Sequence, residues 1–341
     1  MSQTPNTRKA LALLSDYFDA SLRSPADVRQ LNRLLSTASE LTSGTASSLD
    51  IKIASSALEE MSRAFTMFAP FRDIRKVSIF GSARTAPDND IYAMTVATAK
   101  ALAAHQFMVV TGAGPGIMEA GMLGAGRENS IGVSIRLPFE TGANSIIAGD
   151  QKYVSMRYFF TRKLMLVKES HAFLCMPGGF GTLDETFELL TLAQTAKSVP
   201  VPIVFLEVHG QPFWTPLMKA IEPLLLDQGL ISPSDTSLYT ITDNIDNAVR
   251  EITQFYNNYD SIRFVDDTLY IRLKRAIPDE RFSEIAAHHA HLAFDGVIRQ
   301  TTATAEEVAD NDKPHLYRVA LKYSAKGFAD LRSLIDAFNT F

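Results

Sequence analysis

Residues 107–116 read FMVVTGAGPG, in which a short apolar run passes directly into three alternating glycines. The run predicts a buried strand, and Gly112, Gly114 and Gly116 predict a tight turn into a helix. Because the N–H groups at a helix N-terminus attract anions, this turn is a candidate phosphate site, although it is equally typical of an ordinary strand-to-helix connection. Ile117 stands where the dinucleotide fingerprint requires glycine, which disfavours a nicotinamide dehydrogenase.

The alternation of strand and helix continues on both sides of this turn. We predict strands at 76–80, 107–111, 131–135, 172–176, 202–207 and 238–242, and helices at 88–105, 117–127, 155–170, 182–195, 214–226 and 244–258, with a loop at 136–150. Continuous apolar strands that alternate with helices indicate a parallel sheet covered on both faces. The predicted fold class is α/β, a doubly wound, Rossmann-like parallel sheet that binds ligands beyond the carboxyl ends of its strands.

The two ends of the chain have different patterns. The first part is poor in glycine, with helical spacing at 10–14, 28–35 and 51–68 and a Ser/Thr-rich loop at 37–50. The last part predicts two strands around Asp266-Asp267 within 261–273, a helix at 279–290, strands near 296–302 and 315–323, and a helix at 327–338. We therefore predict a helical N-terminal arm (1–70), a Rossmann-like nucleotide-binding domain (71–260) and a small α+β C-terminal domain (261–341).

The composition excludes several classes of protein. Hydrophobic residues make up 46% of the 341 residues and charged residues 21%, which is ordinary globular usage. The net charge of −5 gives no electrostatic case for binding nucleic acid or an acidic membrane surface. A single cysteine cannot form an intrachain disulfide, and the first residues contain no signal-peptide core. The expectation is a soluble cytoplasmic protein.

Three histidines lie close together near the end of the chain. His288 and His291 share a helix face, but no carboxylate completes a metal-ligand pattern, so a solvated face is the preferred interpretation. No metal site and no cofactor are predicted.

A second glycine turn occurs at MPGGFGTLDE (176–185). Gly178 and Gly179 follow a strand, Gly181 and Thr182 open a helix, and Glu185 comes one turn later. Two such turns at neighbouring strand ends would form a cradle for a phosphorylated ligand, with a carboxylate beside it. The spacing of Thr182 and Glu185 is also that of a capping box, and spacing alone slightly favours this structural interpretation.

The segment YFFTRKLMLV (158–167) is apolar nearly all round, which predicts a buried helix. A buried Arg162 needs an anionic partner, either the carboxylate of a structural ion pair or a phosphate. Ser82 and Arg84 follow the first strand, where a hydroxyl and a guanidinium could also bind phosphate.

These stretches together resemble a known family. GSARTAPDNDIYAMTVATAKALA (81–103), TGAGPGIMEAGMLGA (111–125) and FFTRKLMLVKESHAFLCMPGGFGTLDETFE (159–188) are similar, in motif and spacing, to the LOG (Lonely Guy) family, in its longer bacterial form. Members of that family were long labelled lysine decarboxylases. The resemblance covers roughly residues 77–256, about half of the chain, and the Arg-Lys pair followed by P-G-G-x-G-T-x-x-E is specific as a combination.

The resemblance implies an activity and a set of site residues. The activity is hydrolysis of the N-glycosidic bond of purine nucleoside 5′-monophosphates, with cytokinin riboside monophosphates and AMP as usual substrates. Arg162 and Glu185 correspond to the essential pair of the family. The implied substrate-binding residues are Ser82, Arg84, Gly112, Gly114, Gly116, Met156, Lys163, Gly178, Gly179, Gly181 and Thr182. The family also implies at least a homodimer.

Two hypotheses therefore stand. In the first, the protein is a metal-independent N-glycosidase in which Glu185 stabilises positive charge on the ribose or prepares water, and Arg162 orients Glu185. In the second, the same scaffold serves a non-catalytic nucleotide-binding regulatory or carrier protein. The small C-terminal domain keeps the second hypothesis open, and retention of both Arg162 and Glu185 favours the first.

Overall fold

A seven-stranded parallel sheet forms the centre of the computed structural model, which describes residues 25–136, 142–324 and 328–341. The strands lie in the order β4-β3-β2-β1-β5-β6-β7. Their bounds are β1 Lys76–Phe80, β2 Met108–Thr111, β3 Ser130–Ile135, β4 Tyr153–Met156, β5 Ala172–Cys175, β6 Ile203–Leu206 and β7 Thr240–Thr242. The predicted α/β fold class is confirmed.

The central strands are short and apolar because helices cover both of their faces. Val77 of β1 pairs with Val109 of β2 on one side and with Ala172 of β5 on the other, and all three are buried. The strand order reverses at β1, so the loops that follow β1, β2 and β5 meet at the carboxyl edge of the sheet. This is the switch point where such sheets bind ligands.

Helices lie in two layers on this sheet. The helices in the part of the chain that forms this sheet are α1 Pro25–Ser43, α2 Ser48–Phe68, α3 Asp90–Ala104, α4 Ile117–Ala125, α5 Phe159–Lys168, α6 Phe180–Gln194, α7 Trp214–Asp227 and α8 Ile245–Gln254. One apolar cluster joins the sheet to α3, α4 and α8, and a second joins it to α2, α5, α6 and α7. The N-terminal arm thus contributes α2 to the same layer as α5 and α6.

A smaller antiparallel sheet follows, with strand order β10-β11-β9-β8. Its elements are β8 Tyr259–Val265, β9 Thr268–Leu273, α9 Asp279–His288, β10 Ala293–Thr301, α10 Ala305–Ala309, β11 Tyr317–Tyr323 and α11 Ala329–Phe338. The apolar cluster that contains Val77 continues into this part of the chain through Ile271 of β9 and Leu334 of α11. The α+β pattern is confirmed, and the division of the chain at residue 260 stays a prediction.

Two expectations about local structure need correction, and two others are not tested. The predicted helix 155–170 is two elements, because residues 153–156 pair with β3 as strand β4 before α5 begins. The predicted loop 37–50 is mostly helical: α1 continues to residue 43, and Ser47 caps α2 by accepting from the N–H of Asp50. The predicted helix at 10–14 and residues 137–141 of the predicted loop lie outside the described residues.

The three histidines near the end of the chain differ in burial. His288 and His291 are exposed as expected, but His289 between them is buried, with its Nε2 3.1 Å from Ser333 Oγ. Within the described ranges, no group of three or more His, Cys, Asp or Glu side chains could hold a metal ion. None of the helices placed there is long and apolar enough to cross a membrane.

Candidate functional site

A cavity of about 1120 Å³ lies where β1, β2 and β5 end. Its walls come from the loop after β1, the glycine turn after β2, the first turns of α5 and α6, and the start of α7. Nine of the predicted site residues line it: Ser82, Arg84, Gly112, Arg162, Gly178, Gly179, Gly181, Thr182 and Glu185. The sheet therefore brings together most of the predicted site from four separate parts of the chain.

The glycine turn after β2 is locked to the loop after β1. Gly116 has a φ of +67°, and a Cβ there would collide with the carbonyl oxygen of Ser82. The N–H of Ile117 donates to that same carbonyl at 3.0 Å. A side chain at Gly112 would lie 2.5 Å from Arg162 Nη2, so the absence of a side chain at Gly112 leaves room for the guanidinium.

Arg162 and Glu185 form an ion pair on the wall of the cavity. Arg162 Nη1 lies 3.4 Å from Glu185 Oε1, and their side chains are 13% and 11% exposed. Arg162 Nε also donates to the carbonyl oxygen of Val133 at 3.0 Å, which fixes the guanidinium against the end of β3. The pair is therefore partly desolvated, still reachable from the cavity, and held in one orientation.

The positive charges near Glu185 counteract the effect of burial on its pKa. Burial raises the pKa of Glu185, whereas the positive charges of Arg162 and Lys163 lower it. The effect of burial is the larger, so the pKa of Glu185 lies above its ordinary value. Lys163 Nζ lies 3.8 Å from Glu185 and donates to Glu188 at 2.8 Å, and it lies 2.7 Å from Asp184. Burial alone would lower the pKa of Lys163, but these acidic partners outweigh it and hold the ammonium in its charged form.

Glu185 does not cap its helix. Helix α6 begins at Phe180, its N-cap is Gly179, and this residue has no side-chain cap. Thr182 is thus the third residue of the helix, and Glu185 lies a further turn inside it. The capping-box interpretation of Thr182 and Glu185 is wrong, because the glycine turn starts the helix three residues earlier than the spacing suggested.

The helices that start at this edge of the sheet differ in how their first N–H groups are satisfied. Two are capped by buried carboxylates that lie outside the helix, one from the preceding loop and one from a distant helix. Glu207 accepts from the N–H groups of Phe213 and Trp214 at the start of α7, both at 2.7 Å. Glu60 of α2 accepts from the N–H groups of Arg157 and Tyr158, just before α5.

Two helices lack such a cap. Helix α4 has Gly116 as its N-cap and α6 has Gly179, and among the described residues neither N-cap makes a side-chain hydrogen bond. Helices α3 and α8 are capped by Asn89 and Asn244. Among these helix starts, the two glycine turns beside the cavity are thus the ones without a side-chain cap, although the N–H of Ile117 in α4 already donates to the carbonyl oxygen of Ser82.

Part of the chain is similar to known proteins. Residues 115–252 match the protein family described as "Possible lysine decarboxylase". A cytokinin riboside 5′-monophosphate phosphoribohydrolase of Arabidopsis thaliana is 31% identical over 101 residues, which are 30% of this chain and 45% of that protein. A probable enzyme of the same name from Oryza sativa is 25% identical over 190 residues, 53% of this chain and 77% of that protein.

The resemblance to the LOG family is confirmed. The chain spans less than half of the length of the Arabidopsis relative. Among solved structures, the molybdenum cofactor carrier protein of Chlamydomonas reinhardtii is 22% identical, with a TM-score of 0.38 over 53% of this chain and 97% of that one.

The remaining residues carried over from the LOG family lie around the cavity without lining it. Gly114 borders a second cavity, of about 180 Å³, which also touches Gly112 and Arg162. Met156 is fully buried at the end of β4, and Lys163 points toward the acidic side chains of α6. Gly116 acts through the backbone contact with Ser82 described above.

Helix α5, which carries Arg162, is not buried on all sides, contrary to the prediction from its apolar sequence. Thr161, Met165 and Leu166 are buried, whereas Phe160 and Leu164 are exposed. The sheet covers only one face of α5. Because the opposite face of this helix is also apolar, the sequence had predicted that both faces are buried. That outer face is apolar surface on the described part of the chain.

Several residues that line the cavity were not predicted from the sequence. Phe213, Pro216 and Leu217 at the start of α7 form one wall of the cavity. Phe180, which is 92% exposed, stands between the glycines of the second turn. An aromatic side chain inside a glycine-rich turn was a signal that could have been used, whereas nothing local marks the start of α7.

Proposed function

We propose that the protein hydrolyses the N-glycosidic bond of purine or cytokinin nucleoside 5′-monophosphates and releases the free base and ribose 5-phosphate. The observation that carries this proposal is the Arg162–Glu185 pair on the wall of a cavity beside which two helices start at glycines without a side-chain cap. The similarity to proteins named phosphoribohydrolases supports it.

The arrangement suits the chemistry of this bond. Breaking the bond between the base and C1′ leaves the electron pair on the base and develops positive charge on the ribose, as in glycoside hydrolysis. Glu185 would stabilise that charge, and water that adds to C1′ would give up a proton to Glu185 or to the departing base. Arg162 would orient the carboxylate and contact the nucleotide. The helix starts at Gly116 and Gly179 would bind the 5′-phosphate and so position the sugar.

The first prediction is dependence on the 5′-phosphate. The purified protein is expected to cleave AMP far faster than adenosine, because the phosphate supplies the binding energy that positions the ribose. Chromatography of the free adenine measures both rates, and the same assay with a chelator tests for a metal requirement. Adenosine is the matched control, since it differs only in the phosphate.

The outcomes separate the two hypotheses. Equal rates on AMP and adenosine, or loss of activity with the chelator, would contradict the phosphate-anchored, metal-independent mechanism. Binding of AMP without release of adenine would favour the non-catalytic nucleotide-binding regulatory or carrier protein.

The second prediction concerns pH. Because burial raises the pKa of Glu185 and the ionised carboxylate is the active form, kcat/KM for AMP should rise with pH through a midpoint above 4.5, the ordinary carboxyl value. The measurement is kcat/KM for AMP from about pH 4 to 8. The phosphate of AMP itself titrates at about pH 6. Inhibition by ribose 5-phosphate, measured over the same pH range, is therefore the control for the titration of the phosphate. A midpoint at or below 4.5 would contradict the assignment of Glu185.

Assembly and location remain proposals as well. Ile51, Leu58 and Phe65 of α2 are exposed at seven-residue intervals, and α5 beside this helix exposes Phe160 and Leu164. An exposed apolar face of this kind supports a homodimer or higher homo-oligomer. We also propose a cytoplasmic location, without a nucleic-acid or membrane partner, on the charge and cysteine content alone.

A further inference from the structure

Helix α5 carries Arg162 but cannot cap its own start. Its N-cap is Tyr158, whose side chain makes no capping hydrogen bond. The N–H groups at the beginning of a helix need partners when they are buried. The partner here comes from another helix, because the carboxylate of Glu60 on α2 lies over the first turn of α5.

Three hydrogen bonds converge on this carboxylate. Arg157 donates its N–H to Oε1 at 2.7 Å, Tyr158 donates its N–H to Oε2 at 3.4 Å, and Thr161 donates its hydroxyl to Oε2 at 2.8 Å. Glu60 is only 3% exposed. In a capping box, an acidic residue at the third helical position bonds back to the N-cap N–H. That position here is Thr161, and Glu60 performs the same task from 101 residues away in the sequence.

The residue after Thr161 is Arg162, so the first turn of α5 determines where the guanidinium lies. The fit around this group is close: Nε donates to the carbonyl oxygen of Val133, and Nη2 lies against the backbone of Gly112 with no space for a Cβ. A shift of the turn would break the contact with Val133 or change the 3.4 Å separation from Glu185. Misplacement by about 1 Å is enough to cost about 10²-fold in rate.

We propose that Glu60 is a positioning residue for Arg162, which makes helix α2 part of the active-site architecture. This inference rests on the proposed function, because it assigns a purpose to the place of Arg162. Glu60 does not line the cavity, so it acts through α5 rather than on the nucleotide. The glycine turns of α4 and α6, which bind the phosphate in the proposed function, make no hydrogen bond with Glu60 among the described residues.

The test compares three substitutions in the full-length chain. Glu60→Ala should lower kcat on AMP about ten- to hundredfold and leave KM little changed, because the phosphate anchor is untouched. Glu60→Gln should recover most of the loss, since an amide oxygen still accepts from an N–H group. Thr161→Val removes one of the three hydrogen bonds and keeps the side-chain shape, so it should give a smaller fall. Glu59→Gln is the control, because Glu59 is exposed on the same helix and its ion pair is with Arg63 of that helix, at 3.9 Å.

Amide hydrogen exchange of residues 157–168 supplies a readout that needs no activity. This segment should exchange faster in Glu60→Ala than in the wild type, while the segment that starts α6 stays unchanged. A folded Glu60→Ala protein with wild-type kcat, or with unchanged exchange at 157–168, would overturn the proposal. If Glu60→Ala does not fold, wild-type kcat and unaltered exchange at 157–168 in Thr161→Val would overturn it as well. If the wild type does not cleave AMP, the proposed function fails, and the exchange data still decide whether Glu60 holds the start of α5.

Discussion

Glu185→Gln is expected to lose at least about a hundredfold in kcat on AMP while it still binds the nucleotide. An amide fills the space of the carboxylate but carries no negative charge, so it can neither stabilise positive charge on the ribose nor accept a proton from water. Because Glu185 does not cap its helix, loss of a cap cannot explain the effect. The pKa of Glu185 is raised by burial, so removal of its charge should leave the melting temperature at or slightly above that of the wild type.

A neighbouring glutamate on the same helix provides the control for this substitution. Glu188 accepts from Lys163 at 2.8 Å, and its side chain is 36% exposed. Glu188→Gln should therefore keep most of the turnover. Arg162→Ala should also impair turnover, with weaker binding if the guanidinium contacts the nucleotide. Turnover close to wild type in Glu185→Gln would remove Glu185 from the mechanism.

The largest expected effect on stability comes from Glu307 of helix α10, beside the C-terminal sheet. Its side chain is fully buried and accepts from Arg272 Nε at 2.9 Å and from Arg318 Nε at 2.8 Å. Burial raises the pKa of Glu307, but its hydrogen bonds, with Arg318 first, outweigh burial and bring the pKa to about 2. Glu307→Gln leaves two buried guanidinium groups without this charge, and the expected loss in the free energy of unfolding is about 3–5 kcal/mol.

Urea unfolding measures this loss, and Glu306→Gln, at an exposed position next to it, is the matched control. A folded-state pKa below the unfolded value means that Glu307 contributes stability above pH 4.5, and this contribution disappears as the pH falls toward about 2. The variant should lack that part of the acid dependence. A loss in the free energy of unfolding no larger than that of Glu306→Gln would show that Asp312, which also binds Arg272 at 2.6 Å, compensates the charge.

The parts of this fold that follow from local pattern could be predicted from the sequence. Short apolar runs that end in glycine predicted the central strands, and the run Lys76–Phe80 is observed with the same bounds. The cavity lies where that pattern placed it, at the strand ends. Strand β4 was missed because its four residues continue almost directly into a helix, and the sequence between 153 and 168 has no turn signal.

The contacts that join distant segments could not be predicted in this way. Glu60 and Arg157 are 97 residues apart, and no local motif relates a carboxylate on one helix to the start of another. Such contacts depend on how the helices pack on the sheet and on one another. This packing is determined by the whole hydrophobic core rather than by any short segment of the sequence.

The carboxylate of Glu207 also fixes the position of the only tryptophan in the chain. Trp214 is fully buried, stacks on Phe205 with ring centroids 4.6 Å apart, and donates its indole N–H to the carbonyl oxygen of Cys175 at 2.9 Å. Its neighbour Phe213 lines the cavity. The indole fluorescence of the protein therefore comes from one defined place, shielded from water and one residue from the cavity wall. Changes in its emission can be assigned to this place without a label and without comparing several chromophores.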